Sequence, residues 1–406
     1  MQLKNNKIRT AFPYFTTPKN KKTIYFDNAA TTHKPRSVID AISNFYTESN
    51  SNIHRSNHAL SDSATTKYES CRNLICNFIG AKKSSEIIFT SGATESINLI
   101  AQSYGGSFVN ANDIILISNI EHHSNVIPWQ VLAKKQNAVL QEIPTGPDLL
   151  IDESKFEKLL NNRVKLIAIN HVSNVSGIMQ NIKRLIQLAN KFNIPVLIDG
   201  AQAPAHIEVN VSDLGCDFYC FSGHKIFGPT GTGVLFIKSE HLNKLPPYKT
   251  GGQMVKKIGT HESTWSEPPL KFEAGTPNIA GIIGLCEAIK HIQKITLQKI
   301  ITVEDQLTKH MIMQLKNISD ITLYGSEKKA APIFAFNIDK IHHNDISTIL
   351  STRGVLIRSG HLCNQSLMKH LQIDGCLRVS LSFYNSVEEI DRFINLLQQT
   401  VRFLKR

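Results

Sequence analysis

Between about residue 80 and residue 240 the chain repeats one pattern: a short apolar run, a polar turn, then a stretch with helical periodicity. The apolar runs lie at 87–90, 114–118, 166–170, 196–199, 218–221 and 234–237. At 182–192, Ile182, Leu185, Ile186 and Ala189 recur at the spacing of one helix face. Short strands that alternate with helices predict an α/β fold, with a mostly parallel sheet flanked by helices on both faces. In such sheets ligands sit beyond the carboxyl ends of the strands. Polar segments fall just after these runs at 91–95, 121–125, 171–174, 199–202 and 222–225. The pattern therefore places the chemistry before any motif is read.

After about residue 285 the texture changes. Ile282, Ile283, Leu285, Cys286, Ile289 and Ile292 mark a helix, and a mixed helix–strand region runs on to residue 406. We expect a large domain over 22–285 and a smaller α+β domain made of 1–21 and 286–406. The connection over 244–272 carries Pro246, Pro247, Gly251, Gly252, Pro268 and Pro269, shows little periodicity and reads as a long loop.

Composition excludes several classes. No apolar run approaches the roughly 18 residues needed to cross a bilayer, so no membrane span is expected. Seven cysteines, an odd number spread over a long chain, argue against a disulfide framework and for a reducing, cytoplasmic setting. The net charge of +12 raises the question of nucleic acid. The basic residues are dispersed, however, and the aromatics, 7% of the chain, do not interleave with them, so no nucleic-acid partner is expected. Lys4, Lys7, Arg9, Lys19, Lys21 and Lys22 precede the first acid, Asp27. With no apolar signal core, they read as a basic arm packed on the body.

Ser222-Gly223-His224-Lys225 follows an apolar run, and a lysine at a strand end can serve as a Schiff-base amine. A lone lysine there can equally be a solvated surface residue. Asp199 could partner a protonated pyridine nitrogen or simply cap the next helix. Ser91-Gly92-Ala93-Thr94 could hold a phosphate at a helix N-terminus or be an ordinary cap. A ring from the His122-His123 pair could stack on a planar cofactor. His54 and His58 have helical metal spacing without the glutamate of a zinc-protease motif, so no metal is expected. Cys363, in a glycine-containing loop with Arg358 and His361, has the setting of a reactive thiol. Arg378 could clamp a carboxylate bidentately or make a surface ion pair.

These signals in this order resemble the cysteine desulfurases of the SufS type, which are class V, fold-type I pyridoxal-phosphate enzymes. The resemblance rests on Ile24-Tyr25-Phe26-Asp27-Asn28-Ala29-Ala30-Thr31, His54-Arg55, Glu121-His122-His123-Ser124-Asn125 and His171-Val172-Ser173-Asn174. It continues through Asp199-Gly200-Ala201-Gln202, Ser222-Gly223-His224-Lys225 and Phe272-Glu273-Ala274-Gly275-Thr276-Pro277. In the tail it rests on Arg358, His361-Leu362-Cys363, Arg378 and Phe383-Tyr384-Asn385.

The resemblance implies pyridoxal 5′-phosphate held by Lys225, which also shuttles the α-proton. Asp199 would pair with the ring nitrogen and Gln202 with the phenolic oxygen, while His123 would stack on the ring and assist catalysis. Thr94, Ser222 and His224 would bind the phosphate, with Thr276 reaching in from the other subunit of a homodimer. Arg378 and Asn174 would hold the substrate carboxylate, and Arg358 and His54 would also contact substrate. Cys363 would take sulfur from L-cysteine, leaving L-alanine and an enzyme persulfide. A SufE- or SufU-like acceptor and a SUF scaffold would then use the sulfur for iron–sulfur clusters. The alternative activity is a selenocysteine lyase at the same site, with L-selenocysteine as substrate. Two departures stand out. Leu362 takes the place of a usual second histidine, and Asn364-Gln365-Ser366 replaces a usual Ala-x-Pro. They bear on the rigidity of the cysteine loop and the choice of acceptor, not on the cofactor.

Overall fold

The computed structural model describes residues 8–406. Lys4 and Lys7 of the basic arm lie outside them. The large sheet has seven strands: β1 (Ile87–Thr90), β2 (Ile114–Ser118), β3 (Val139–Ile143), β4 (Val164–Asn170), β5 (Val196–Asp199), β6 (Phe218–Ser222) and β7 (Gly233–Ile237). Their order in space is β1-β7-β6-β5-β4-β2-β3. Every pair is parallel except those of β7, which runs antiparallel to both neighbours.

The two faces divide residue by residue. Along β4, Leu166 and Ala168 enter one apolar cluster while Ile167 and Ile169 enter the other. A strand covered on both faces has no polar side, which is why its sequence is a continuous apolar run. β3 escapes this signature. It pairs only with β2 at the sheet edge, and Val139 and Glu142 are exposed. The helix expected over 182–192 is Ile182–Asn190, with Ile182, Leu185, Ile186, Leu188 and Ala189 buried.

A second sheet holds Ile321–Leu323, Ile333–Ile338, Cys376–Ser380 and Arg358–Gly360 in that spatial order, all antiparallel. The helices Leu297–Lys316, His343–Thr352 and Val387–Leu404 join it in a separate apolar cluster that includes Phe334, Phe336, Leu377 and Val379. The helix marked by Ile282 begins earlier, at Ile279, because the Asn278 side chain accepts from the amide of Gly281 at 2.9 Å. It is continuous to Ile295, and its buried face belongs to the larger core. The arm is packed down: Phe12 and Phe15 lie in that core, and Arg9 pairs with Glu389 at 2.8 Å.

The stretch over 244–272 corrects the expectation of a long loop. It contains the antiparallel pair Val255–Ile258 and Ser263–Trp265, whose side chains are mostly exposed. An isolated hairpin buries too little for its alternation to register in the sequence. Among the described residues, no helix is long and apolar enough to cross a membrane.

Candidate active site

Two neighbouring strand ends make the floor of a cavity of about 190 Å³. β5 ends at Asp199, which is buried and accepts from the amide of Ala201 at 3.0 Å. Burial raises its pKa, and the Lys225 ammonium opposes that rise. Gln202 follows, donating from Nε2 to the carbonyl of Ala29 at 2.8 Å. β6 ends at Ser222 and turns through Gly223–Lys225. Burial lowers the pKa of Lys225; Asp199 opposes this and the Arg378 guanidinium adds to it. A lysine so placed gives up its proton more readily than one in water.

The helix Ala93–Ile100 begins beside this floor. Ser222 Oγ accepts from the amide of Ala93 at 2.9 Å, and Thr94 Oγ1 lies 2.7 Å from Ser124 Oγ. The approach depends on Gly233 of β7, where a Cβ would sit 2.4 Å from the Gly92 Cα. Thr94, Ser222 and His224 all line the cavity, at a helix end suited to an anion.

The histidine assignment needs correction. His123, expected to stack on the cofactor, is absent from the cavity lining, and its neighbour His122 is there instead. Burial pushes the His122 imidazole down to about 3, with Lys225 the next cause, so it is neutral in the folded protein. His123 faces the cysteine loop: its amide donates to the Cys363 carbonyl at 2.8 Å, and its Nε2 accepts from the amide of Gln365 at 3.3 Å. Adjacent side chains diverge, and the sequence alone does not say which one points inward. Beneath them lies Glu121, fully buried, accepting from Asn125 Nδ2 at 2.7 Å and from the amide of Asn170 at 2.9 Å. Burial lifts its pKa to about 7.

The opposite wall comes from the small sheet. Arg358 and Arg378 are direct cross-strand partners, an unfavourable placement of like charges. Asp27 offsets it, receiving Arg378 Nη2 at 2.7 Å and lying 3.9 Å from Arg358. Arg378 is 3% exposed and donates from Nη1 to the Asn174 carbonyl at 3.0 Å. Its Nε is buried and has no hydrogen-bond partner among the described residues, a donor left over for an anionic ligand. Arg358, Asn174, Leu362 and Cys363 complete this wall. Leu362 and Cys363 both have left-handed backbones, with φ +55° and +54°. Such a conformation costs about 1–2 kcal/mol per non-glycine residue, so the loop holds only because its surroundings fix it.

Two expected residues lie elsewhere. His54 is bonded to Glu69 at 3.0 Å and to Gln253 at 2.7 Å, and Thr276 accepts from Asn52 Nδ2 at 3.4 Å. Neither lines this chain's cavity. His58 caps the helix Ala59–Phe78, which accounts for it without a metal. Asp27 and His122 are the residues that reading by motif missed. Both stand within quoted motifs, but nothing local tells that Asp27 reaches residues 358 and 378.

The donor set fits pyridoxal 5′-phosphate. It offers a buried carboxylate suited to a cationic ring nitrogen, an amine with a lowered pKa, a hydroxyl-lined helix end and a neutral imidazole wall. The chain belongs to the class-V aminotransferase family, whose model matches residues 24–393. Its relatives include cysteine desulfurases. It is 42% identical over 399 residues to a probable cysteine desulfurase of Halalkalibacterium halodurans, covering 98% of each chain. To a cysteine desulfurase of Escherichia coli it is 41% identical over 401 residues, again 98% of each. The solved apo structure of the cysteine desulfurase from Thermococcus onnurineus superposes with a TM-score of 0.94 at 37% identity, over 99% of both chains.

Proposed function

We propose that this protein is a cysteine desulfurase that converts L-cysteine to L-alanine and leaves the sulfur as a persulfide on Cys363. The single observation that carries this reading is the placement of the Cys363 thiol and the Lys225 amine on one cavity with the Arg378 guanidinium between two anchors. Pyridoxal phosphate, when bound, supplies an electron sink for the charge that develops at the substrate Cα. Lys225 would hold it covalently, Asp199 would sustain its positive ring, and His122 would pack on its face. Gln202 would meet its phenolic oxygen, and Thr94, Ser222 and His224 its phosphate.

The rest falls to the chain's own groups. Arg378, with Asn174 beside it, holds the substrate carboxylate, and Arg358 adds positive charge at the entrance. Fixing that end aims the Cα–H bond at Lys225 Nζ, which takes the proton and later returns it; such orientation contributes several kcal/mol. Cys363 Sγ then forms an S–S bond to the substrate sulfur as the Cβ–S bond breaks. The bond's electron pair stays on carbon, and protonation there completes L-alanine.

His54 and Thr276 do not line their own chain's cavity, and Thr276 is exposed, which supports a homodimer in which each chain completes the other's site. The pinned loop around Cys363 supports a dedicated acceptor, of the SufE or SufU kind, that takes the sulfur to a SUF scaffold in the cytoplasm. Selenocysteine would fit the same groups and is the second substrate.

The test is alanine release from L-cysteine, with reductant, by the protein and its Cys363→Ala variant. We expect release by the wild type and none by the variant, with cofactor absorbance retained in both. Equal release by both would overturn the persulfide step. Absence of bound cofactor in both would overturn the whole reading.

A further inference from the structure

We propose that Asn364 is a positioning residue for the thiol: it pins the Cys363 loop to the same backbone segment that presents His122 to the cavity. This rests on the reading of Cys363 as the sulfur nucleophile. Asn364 has no solvent exposure, yet both ends of its amide are used. Oδ1 accepts from the amide of Leu367 at 3.2 Å and caps the helix Gln365–Leu371, while Nδ2 donates to the carbonyl of Ile120 at 2.8 Å.

Ile120 stands two residues before His122, and the strap continues on both sides of Asn364. The amide of His123 donates to the Cys363 carbonyl at 2.8 Å, and the amide of Gln365 donates to His123 Nε2 at 3.3 Å. One residue earlier, Asn174 Nδ2 donates to the Leu362 carbonyl at 2.9 Å. The Leu362 side chain is buried in a cluster with Ile120 and Val175. Four consecutive residues, 362–365, are thus each tied to the large body by one hydrogen bond. Among these four bonds, the one from Asn364 alone uses a side chain of the loop, so it is the one that a substitution within the loop can remove.

That bond also lies where the loop is least able to hold itself. Leu362 and Cys363 are consecutive left-handed residues, and a loop released at Asn364 would relax toward ordinary backbone angles. The Ile120 carbonyl would be left with only a 3.5 Å contact from Asn170 Nδ2. The thiol would then sample positions away from the substrate sulfur, and misplacement by an ångström is enough to lower the chemical step.

The test uses the cofactor-loaded full chain and follows iodoacetamide labelling of each cysteine by mass spectrometry. Cys363 is half-buried and the other six cysteines are buried, so its rate is read separately. Asn364→Ala removes both hydrogen bonds. Asn364→Asp keeps an acceptor for the Leu367 amide but has no donor for Ile120. We expect Cys363 to label on the order of tenfold faster in both variants, as loss of one buried hydrogen bond implies. In both, kcat for alanine release should fall while KM for L-cysteine holds.

A residue that merely stabilised the fold would lower the melting temperature without changing the Cys363 rate. Wild-type labelling in both variants would overturn the proposal, as would faster labelling spread over all seven cysteines. Wild-type labelling in Asn364→Asp alone would assign the effect to the helix cap and overturn the clamp. The labelling does not depend on turnover, so failure of the desulfurase reading would be seen separately in the Cys363→Ala assay.

Discussion

Asp199 and Lys225 sit at the ends of adjacent strands of the large sheet, where Asp199 is registered against Asn170 on one side and Cys220 on the other. Cys363, across the cavity, sits on a loop between the short strand Arg358–Gly360 and a helix of seven residues, with two successive left-handed backbones. Strand pairing fixes the first wall, and a few bonds to Ile120, His123 and Asn174 fix the second. The floor therefore tolerates burial of charge, because β5 and β6 are each paired on both sides and hold Asp199 and Lys225 whatever the electrostatic cost. The thiol wall has no such scaffold and depends on polar contacts from the large body. A site divided this way can keep its cofactor chemistry constant while its nucleophile loop varies.

The contrast breaks hardest at Lys225. We expect Lys225→Met to lower turnover by about a thousandfold or more, the scale of losing a positioned acid–base group. The cofactor-free variant should be at least as stable to urea at pH 7 as the wild type. Burial lowers the lysine's pKa, so the unfolded chain holds that proton more tightly and folding carries a penalty below about pH 10. Methionine removes the penalty at similar size. A clear loss of stability would mean that the floor is held together by its lysine rather than by its strands.

Arg378→Lys probes the other wall. Lysine keeps the charge but loses the fork that serves Asp27 and Asn174 and still presents Nε to a ligand. We expect KM for L-cysteine to rise between about tenfold and a hundredfold, as loss of a charge-assisted hydrogen bond implies. Initial rates would measure it, and an unchanged KM would remove Arg378 from substrate binding.

The smallest effect concerns His122. Its folded pKa is about 3, against about 6.5 in an unfolded chain. The unfolded state therefore binds a proton that the folded state refuses, and stability falls as pH drops from 6.5 towards 3. His122→Phe should lose less stability than the wild type between pH 7 and pH 4.5 in urea titrations. The slope should shrink without vanishing, because burial also lowers His171 and His224, each to about 4. Equal losses in both proteins would show that the imidazole is open to water.

The floor was legible in the sequence because the two strands that carry it, β5 and β6, are covered on both faces and end in polar residues, Asp199 and Ser222. Six of the seven large-sheet strands read as apolar runs within two residues of their ends, and Asp199, Ser222 and Lys225 followed at once. β3 and the hairpin Val255–Ile258 with Ser263–Trp265 were missed because partial exposure leaves no continuous apolar run. Choosing His122 over His123 required the direction of each side chain as the chain leaves β2. Joining Asp27 to Arg378 required knowing that residues 351 positions apart meet at one bridge. Hydrophobic periodicity is a local property that a strand or helix imposes on its own residues, so the sequence determined the α/β sheet and the strand ends that carry cofactor chemistry. Which side chains face one another across the cavity depends on the meeting of two separately packed cores, and only the tertiary structure decided that.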